Sequence, residues 1–229
     1  MKRKGSVEMK LLINALTKFV FGIFLVGTVI FLPAGTLAYP NGWLFMALLF
    51  VPILIFGIFM FLKSPDLLRR RLDGKEKEKT QKGVVGLSAL MFLGGFIVAG
   101  LDFRFGWSNF PSWVVILASV VLLISYALYV EVMRENAYLS RTVKVEEGQR
   151  VVSTGLYGIV RHPMYAVTLW LFLAIPLVLG SWWSFLCFLH YPIIIVVRLL
   201  NEEKLLEKEL DGYAEYKNKV KYRLIPFIW

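Results

Sequence analysis

Five long, predominantly apolar stretches decide what this chain can fold into. Four run from Leu16 to Leu32, Trp43 to Leu62, Val84 to Leu101 and Trp113 to Met133. Each is near the ~20 residues that a helix needs to cross a hydrocarbon core. The fifth, Tyr165 to Leu200, is too long for one crossing and right for two short ones. Gly180-Ser181 offers a turn in its middle, and Trp182-Trp183 suits a water interface. The pattern predicts an all-α fold. It is a multi-pass integral membrane bundle of about six transmembrane helices, the last two a tight hairpin, with cytoplasmic helices at the C-terminal end.

Composition agrees. The 229 residues are 58% hydrophobic and 18% charged, whereas soluble domains sit near 45–50% and about 25%. That excludes an ordinary soluble enzyme and a disordered chain. The single cysteine, Cys187, excludes a disulfide scaffold.

The net charge of +10 invites a nucleic-acid reading until the cations are placed. Five Lys/Arg precede or open the first span, eight lie in 63–82, five in 134–161 and seven in 198–229. The alternate connections hold only Arg104, so 25 of 26 cations share one face. The positive-inside rule makes that face cytoplasmic and places both termini there. Nucleic-acid binding is thereby discarded. The basic N-terminal segment raises the possibility of a cleaved signal peptide, but its apolar run is too long for one and is read as the first span.

In the connection at 63–82, Ser64-Pro65-Asp66 is a helix-start signature. Leu67, Leu68 and Leu72 alternate there with Arg69, Arg70 and Arg71. This reads as a short interfacial helix with its arginines at lipid phosphates, in preference to a direct substrate role.

The chemistry concentrates in two polar stretches flanking the predicted hairpin, Asn136 to His162 and Arg198 to Trp229. The hairpin brings them to one membrane face, enough to build a pocket. In the first, His162 follows Arg161 and precedes Pro163, which opens a helix. A helix N-terminus with an arginine beside it favours an anion and keeps an imidazole neutral. A plain capping role is the competing account. In the second, Arg198 and Glu202 are four residues apart and share a helix face. They form either a surface pair or a guanidinium and carboxylate at the mouth of a pocket. Leu199, Leu206 and Leu210 line one side of a helix ending near Gly212, and Tyr213, Tyr216 and Val220 share a face of a short helix beyond it.

Other candidates read as structural. His190 beside Tyr191-Pro192 is expected to pack against a proline kink. Glu131, Arg134 and Glu135 suggest a local ion pair, and Asp102 with Arg104 an interfacial pair. No metal is expected, because two distant histidines and one cysteine lack ligand spacing. Neither GxGxxG after a strand nor GxxxxGK[ST] is present.

Gly155-Leu156-Tyr157, Arg161-His162-Pro163-Met164-Tyr165, Arg198 with Glu202-Glu203, Gly212-Tyr213 with Tyr216, and Arg223-Leu224-Ile225-Pro226 occur in this order. The ordered set resembles the C-terminal signature of the isoprenylcysteine carboxyl methyltransferase family, related to the phospholipid N-methyltransferases. The resemblance covers about residues 134–229. Upstream, Asn136 with Ser140-Arg141 and the Leu101 to Trp107 loop resemble uncharacterised prokaryotic members.

The resemblance implies a membrane methyltransferase with S-adenosylmethionine as methyl donor. It also implies cofactor contacts at Val151, Val152, Tyr157, His162, Pro163, Met164, Tyr165 and Glu202. Arg198 and Glu202 are the implied catalytic pair, with Arg198 near a substrate carboxylate. Gln149 stands where eukaryotic enzymes often carry a histidine. The whole chain, 1–229, is then one membrane domain, with four transmembrane helices in 1–133 and a cofactor-binding catalytic region in 134–229. Expected partners are membrane lipid and a lipophilic or small carboxylate, thiol or amine acceptor, without metal or nucleic acid. Two alternatives stay open: an NADPH-dependent membrane reductase of the sterol-reductase type, and a non-catalytic membrane protein of the same fold.

Overall fold

The computed structural model describes residues 2–72, 79–136, 138, 139, 145 and 148–229, the side chains of 2–7, 79 and 80 excepted. Ser140 and Arg141 lie outside the described residues. The helices are α1 (Lys2–Ala34), α2 (Pro40–Lys63), α3 (Pro65–Leu72), α4 (Lys79–Phe105), α5 (Ser112–Glu135), α6 (Pro163–Leu179), α7 (Trp182–Phe188), α8 (Tyr191–Glu209) and α9 (Tyr213–Lys219). A 3-10 turn occupies Gly155–Gly158, and no strand occurs among the described residues.

α1, α2, α4, α5 and the arm formed by α7 and α8 are long and apolar enough to cross a membrane. Between 11% and 33% of each span's most apolar window is buried, so most of these apolar side chains face outward. A helix apolar on all sides is at home in lipid. α6, with 17 residues, is the short arm of the predicted hairpin. The turn falls at Gly180-Ser181, where Ser181 Oγ caps α7 by accepting from Ser184 N at 3.0 Å. The second arm is two helices, not one. Pro192, in the first turn of α8, has no N–H to offer the carbonyl of Phe188, and the helix breaks at 189–190.

The core is packed by Ile30, Phe45, Leu122, Leu179, Phe188 and Leu199. Phe92 meets the rings of Phe172 and Phe188 edge-on, at 4.8 and 5.3 Å between centroids. α1 and α4 approach closely at Gly100, where a Cβ would lie 2.5 Å from the carbonyl oxygen of Ile30. Small residues of this kind let membrane helices touch backbone to backbone.

Contacts fix the two ends of the bundle. At one end Tyr39 Oη donates to the carbonyl of Leu179 at 2.5 Å, and Trp182 N donates to Ser108 Oγ at 3.1 Å. At the basic end Lys18 Nζ donates to Leu72 O at 2.5 Å, and Gln81 Nε2 to Arg198 O at 3.3 Å.

Two readings are corrected here. Asp102 does not pair with Arg104. It is buried and accepts from Ser108 N and Oγ, both at 2.7 Å, and from Ser181 Oγ, tying α4 to the hairpin turn. Arg104 lies over the Phe105 ring instead. His190 sits at the proline break as expected, but it is exposed, with Nδ1 3.0 Å from the Cys187 carbonyl oxygen.

Candidate functional site

The loop after α5 is anchored from below. The carboxylate of Glu135 accepts from the backbone N–H of Leu156 at 2.9 and 3.1 Å, holding the first turn of the 155–158 segment. Gly155 makes this possible twice over. Its φ of +56° lies in the left-handed region, and a Cβ there would sit 1.7 Å from the Glu135 carboxylate. Glu135 is thus not part of the ion pair expected for it; that pair forms between Glu131 and Arg134, at 2.7 and 2.8 Å. Tyr157 is buried in the same turn. Its hydroxyl accepts from Asn136 Nδ2 at 3.1 Å, and its carbonyl accepts from Tyr216 Oη at 2.7 Å.

Beneath the turn lies a buried ionic knot. Arg161 Nε donates to Glu203 Oε1 at 2.7 Å, while its Nη1 donates to the Val220 carbonyl at 3.1 Å and that of Lys221 at 3.3 Å. Arg223 Nε donates to the other carboxylate oxygen of Glu203 at 2.9 Å, and His162 Nε2 lies 3.3 Å from Oε1. The backbone N–H groups of Arg161 and His162 donate to the carbonyls of Tyr222 and Arg223. The tail therefore docks on the segment that opens α6. His162 flanks α6 at its N-terminus but its ring makes no capping bond, and the anion it meets is the protein's own Glu203. Glu203, Arg161 and Arg223 are the structural centre that the candidate site residues omit. The signal was present: Glu203 follows buried Leu199 by one turn, which turns it inward.

Glu202, its neighbour, turns to the other side and meets Tyr165. The hydroxyl of Tyr165 donates to Glu202 Oε2 and accepts from Arg198 Nε at 3.0 Å. The expected pairing of Arg198 and Glu202 on one face is present, with the tyrosine hydroxyl between them. The Arg198 guanidinium also lies 5.9 Å from the centroid of the Tyr165 ring.

All nine predicted site residues line one cleft: Val151, Val152, Tyr157, His162, Pro163, Met164, Tyr165, Arg198 and Glu202. Gln149 and Asn136 also line it, as do Tyr213 and Tyr216. The phenol of Tyr213 is buried and has no hydrogen-bond partner among the described residues. Leaving such a group unpaired is costly, and a ligand oxygen or nitrogen in the cleft would satisfy it. Burial pushes the Tyr157, Tyr213 and Tyr216 hydroxyls above their usual range, so all three are neutral donors at physiological pH. No cluster of metal-ligating side chains occurs among the described residues.

Each arginine of α3 also has a partner within the protein. Arg69 pairs with Asp66 at 3.0 Å. Arg70 lies over the ring of Tyr138 and Arg71 over that of Tyr129, and Arg71 reaches to 4.0 Å from the Met164 sulfur at the cleft wall.

Residues 113–211 match the model of the phospholipid methyltransferase family. The Delta(14)-sterol reductase TM7SF2 of Mus musculus is 30% identical over 91 residues, 38% of this chain. The match spans 22% of that relative's length. The family match runs from the first turn of α5 to just past α8 and holds Tyr157, the Arg161–Tyr165 segment, Arg198 and the two glutamates. Over these residues the chain is similar to the phospholipid methyltransferase family, of the isoprenylcysteine and phospholipid methyltransferase type.

Proposed function

We propose that this chain is an integral membrane methyltransferase that uses S-adenosylmethionine and methylates a lipophilic or small acceptor at the cytoplasmic face. The observation that carries the reading is the convergence of nine residues, from three separate segments, on one cleft that also holds the unpartnered Tyr213 hydroxyl.

The donor set suits the cofactor's chemistry. When bound, S-adenosylmethionine supplies an electrophilic methyl on a sulfonium. Glu202 balances positive charge on such a ligand, and Tyr213 offers a hydroxyl to one of its polar atoms. Val151, Val152 and Met164 give an apolar wall, and Tyr157 and Tyr165 aromatic ones. Tyr165, held by Glu202 and Arg198 together, fixes both side chains before any ligand arrives. Arg198 is suited to orienting an acceptor carboxylate. Alignment of nucleophile and methyl supplies most of the rate effect in a displacement of this kind. The one imidazole lining the cleft among the described residues is engaged by Glu203, so it is not free to act as a dedicated base. That favours a carboxylate or thiolate acceptor over an amine.

An apolar cavity of about 400 Å³, lined by Phe45, Phe92, Tyr126, Tyr129 and Phe172, supports a lipophilic acceptor. The concentration of 25 of 26 cations on one face supports cytoplasmic termini and a cytoplasmic cleft.

The partial similarity to a sterol reductase favours one second reading, a membrane reductase that binds NADPH in the same cleft. Thermal unfolding of the detergent-solubilised chain separates the two. A ligand that binds the folded state raises the midpoint. S-Adenosylhomocysteine is expected to raise it for wild type and not for Glu202→Gln. A rise with NADPH alone overturns the methyltransferase reading.

A further inference from the structure

Beyond Tyr222 the chain closes into a small loop. The main-chain oxygen of Trp229 accepts from the N–H groups of Arg223, Leu224 and Ile225 at 2.9, 3.0 and 3.1 Å. Leu224 is buried and Trp229 packs against the same transmembrane core, while the Arg223 guanidinium lies 5.1 Å from the Trp229 ring. The residues between them face outward. Ile225, Pro226, Phe227 and Ile228 are all exposed, Phe227 at 87% and Ile228 at 76%. Exposed apolar side chains are ordinary one at a time, but four in a row make a patch that calls for a partner. Phe227 is also, among the described residues, the one non-glycine with a positive φ, +65°. That backbone is unfavourable for a bulky side chain, and here it presents an aromatic ring to the outside.

Position decides what covers the patch. The loop is moored to Glu203 through Arg223 Nε at 2.9 Å, and to the start of α6 through the carbonyls of Tyr222 and Arg223. On α8 the exposed apolar residues Ile193, Val197 and Leu200 stop three residues before Glu203, about 4.5 Å along the helix axis. The loop therefore stands where the apolar band of the bundle gives way to water. Lys219 and Lys221, both exposed, precede it. An aromatic and aliphatic tip with lysines beside it has the composition of a membrane-interface anchor.

We propose that residues 225–228 are such an anchor. Phe227 and Ile228 enter the boundary between head groups and acyl chains of the membrane that the chain spans, and so keep Arg223 on Glu203 beneath the cleft. The anchor stands independently of the methyltransferase reading.

The test places one cysteine at a time in a Cys187→Ser background: Phe227→Cys, and Glu215→Cys on α9 as the exposed control. Each chain carries an environment-sensitive fluorophore and is reconstituted in phosphatidylcholine nanodiscs. Iodide quenches from water, and lipids with a nitroxide high on the acyl chain quench from the bilayer. The label at Phe227 is expected to lose most of the iodide quenching seen at Glu215 and to be quenched by the nitroxide lipids. Iodide quenching equal to the control, with none from the lipids, overturns the proposal. Shielding from both quenchers also overturns it, because protein and not lipid then covers the patch. A label-free variant, Phe227→Ser with Ile228→Ser, is expected to lower the thermal midpoint in nanodiscs, although both side chains are largely exposed in the protein itself. A midpoint at or above that of wild type overturns the anchor.

Discussion

Nε of Arg161 lies 2.7 Å from Oε1 of Glu203, and both side chains are 5% exposed. Three parts of the chain meet at this pair: the segment opening α6, the C-terminal half of α8, and the C-terminal tail through Arg223 and the carbonyls of Val220 and Lys221. The knot holds the floor of the cleft while Glu202, one residue earlier, supplies its wall.

Replacing Glu203 by glutamine leaves two guanidinium groups without their carboxylate. Breaking one partner of a buried pair costs roughly 3–5 kcal/mol. Glu203→Gln is expected to lower the thermal midpoint by several degrees in the absence of any ligand. Arg161→Lys is expected to do the same, because an ammonium cannot serve both the carboxylate and two backbone carbonyls in the fixed geometry of a guanidinium. A ligand-free midpoint unchanged in both variants would refute the structural role.

Spans, turn and site were legible for different reasons. The apolar runs announce themselves because lipid demands them, and Gly180-Ser181 because a hairpin needs a turn. The nine cleft residues were legible as an ordered motif, each on its own unremarkable. What stayed hidden depends on contacts between distant segments. Glu203 gains its importance from Arg161 and Arg223, and Glu135 from Leu156. Asp102 looked like the partner of Arg104 two residues away, yet it binds Ser181 across the bundle. Local spacing suggests local pairs, and the tertiary fold overrides it.

Tyr213 offers a test in which stability and affinity move in opposite directions. Its hydroxyl is buried without a partner among the described residues, so Tyr213→Phe removes an unsatisfied polar group. The ligand-free midpoint is expected to stay level or rise. Affinity for S-adenosylhomocysteine is expected to fall about tenfold, the worth of one hydrogen bond near 1.4 kcal/mol. Unchanged affinity in calorimetry would remove Tyr213 from the ligand's partners.

Tyr165 differs from Tyr213 because its hydroxyl already has two partners. Tyr165→Phe takes away the group between Arg198 and Glu202 and leaves the ring in place. Expected is a small loss of stability, about 1 kcal/mol, with a larger loss in methyl transfer, since both partners then lose their fixed orientation. Comparing turnover with S-adenosylhomocysteine affinity separates the two effects. Equal loss in both would mean that Tyr165 serves binding alone.

Alkaline pH should unfold the cleft through its tyrosines. Burial raises the Tyr157, Tyr213 and Tyr216 hydroxyls above the usual 10.0. The folded state therefore holds these protons more tightly than the unfolded state. Their contribution is complete below about pH 10 and declines as pH rises beyond it, at about 1.4 kcal/mol per pH unit for each tyrosine. Unfolding midpoints followed from about pH 9 to about pH 11 are expected to fall more shallowly in Tyr213→Phe than in wild type. Identical slopes would contradict the burial of that hydroxyl.

Asp102 lies at the opposite end of the bundle from the cleft, and its loss should be felt as stability alone. The carboxylate accepts from Ser108 N, Ser108 Oγ and Ser181 Oγ, and Ser181 Oγ in turn caps α7. Hydrogen bonds to a charged acceptor are worth about 1.5–3 kcal/mol each, and buried donors left without one carry their full desolvation cost. Asp102→Ala is therefore expected to lower the midpoint strongly. Asp102→Asn should lower it less, because the two serine hydroxyls can rotate to suit an amide. S-Adenosylhomocysteine affinity, measured on whatever fraction stays folded, should match wild type for both. A selective loss of that affinity would mean that the hairpin α6 to α8 transmits a change at its turn down to Tyr165 and Arg198 at its far end.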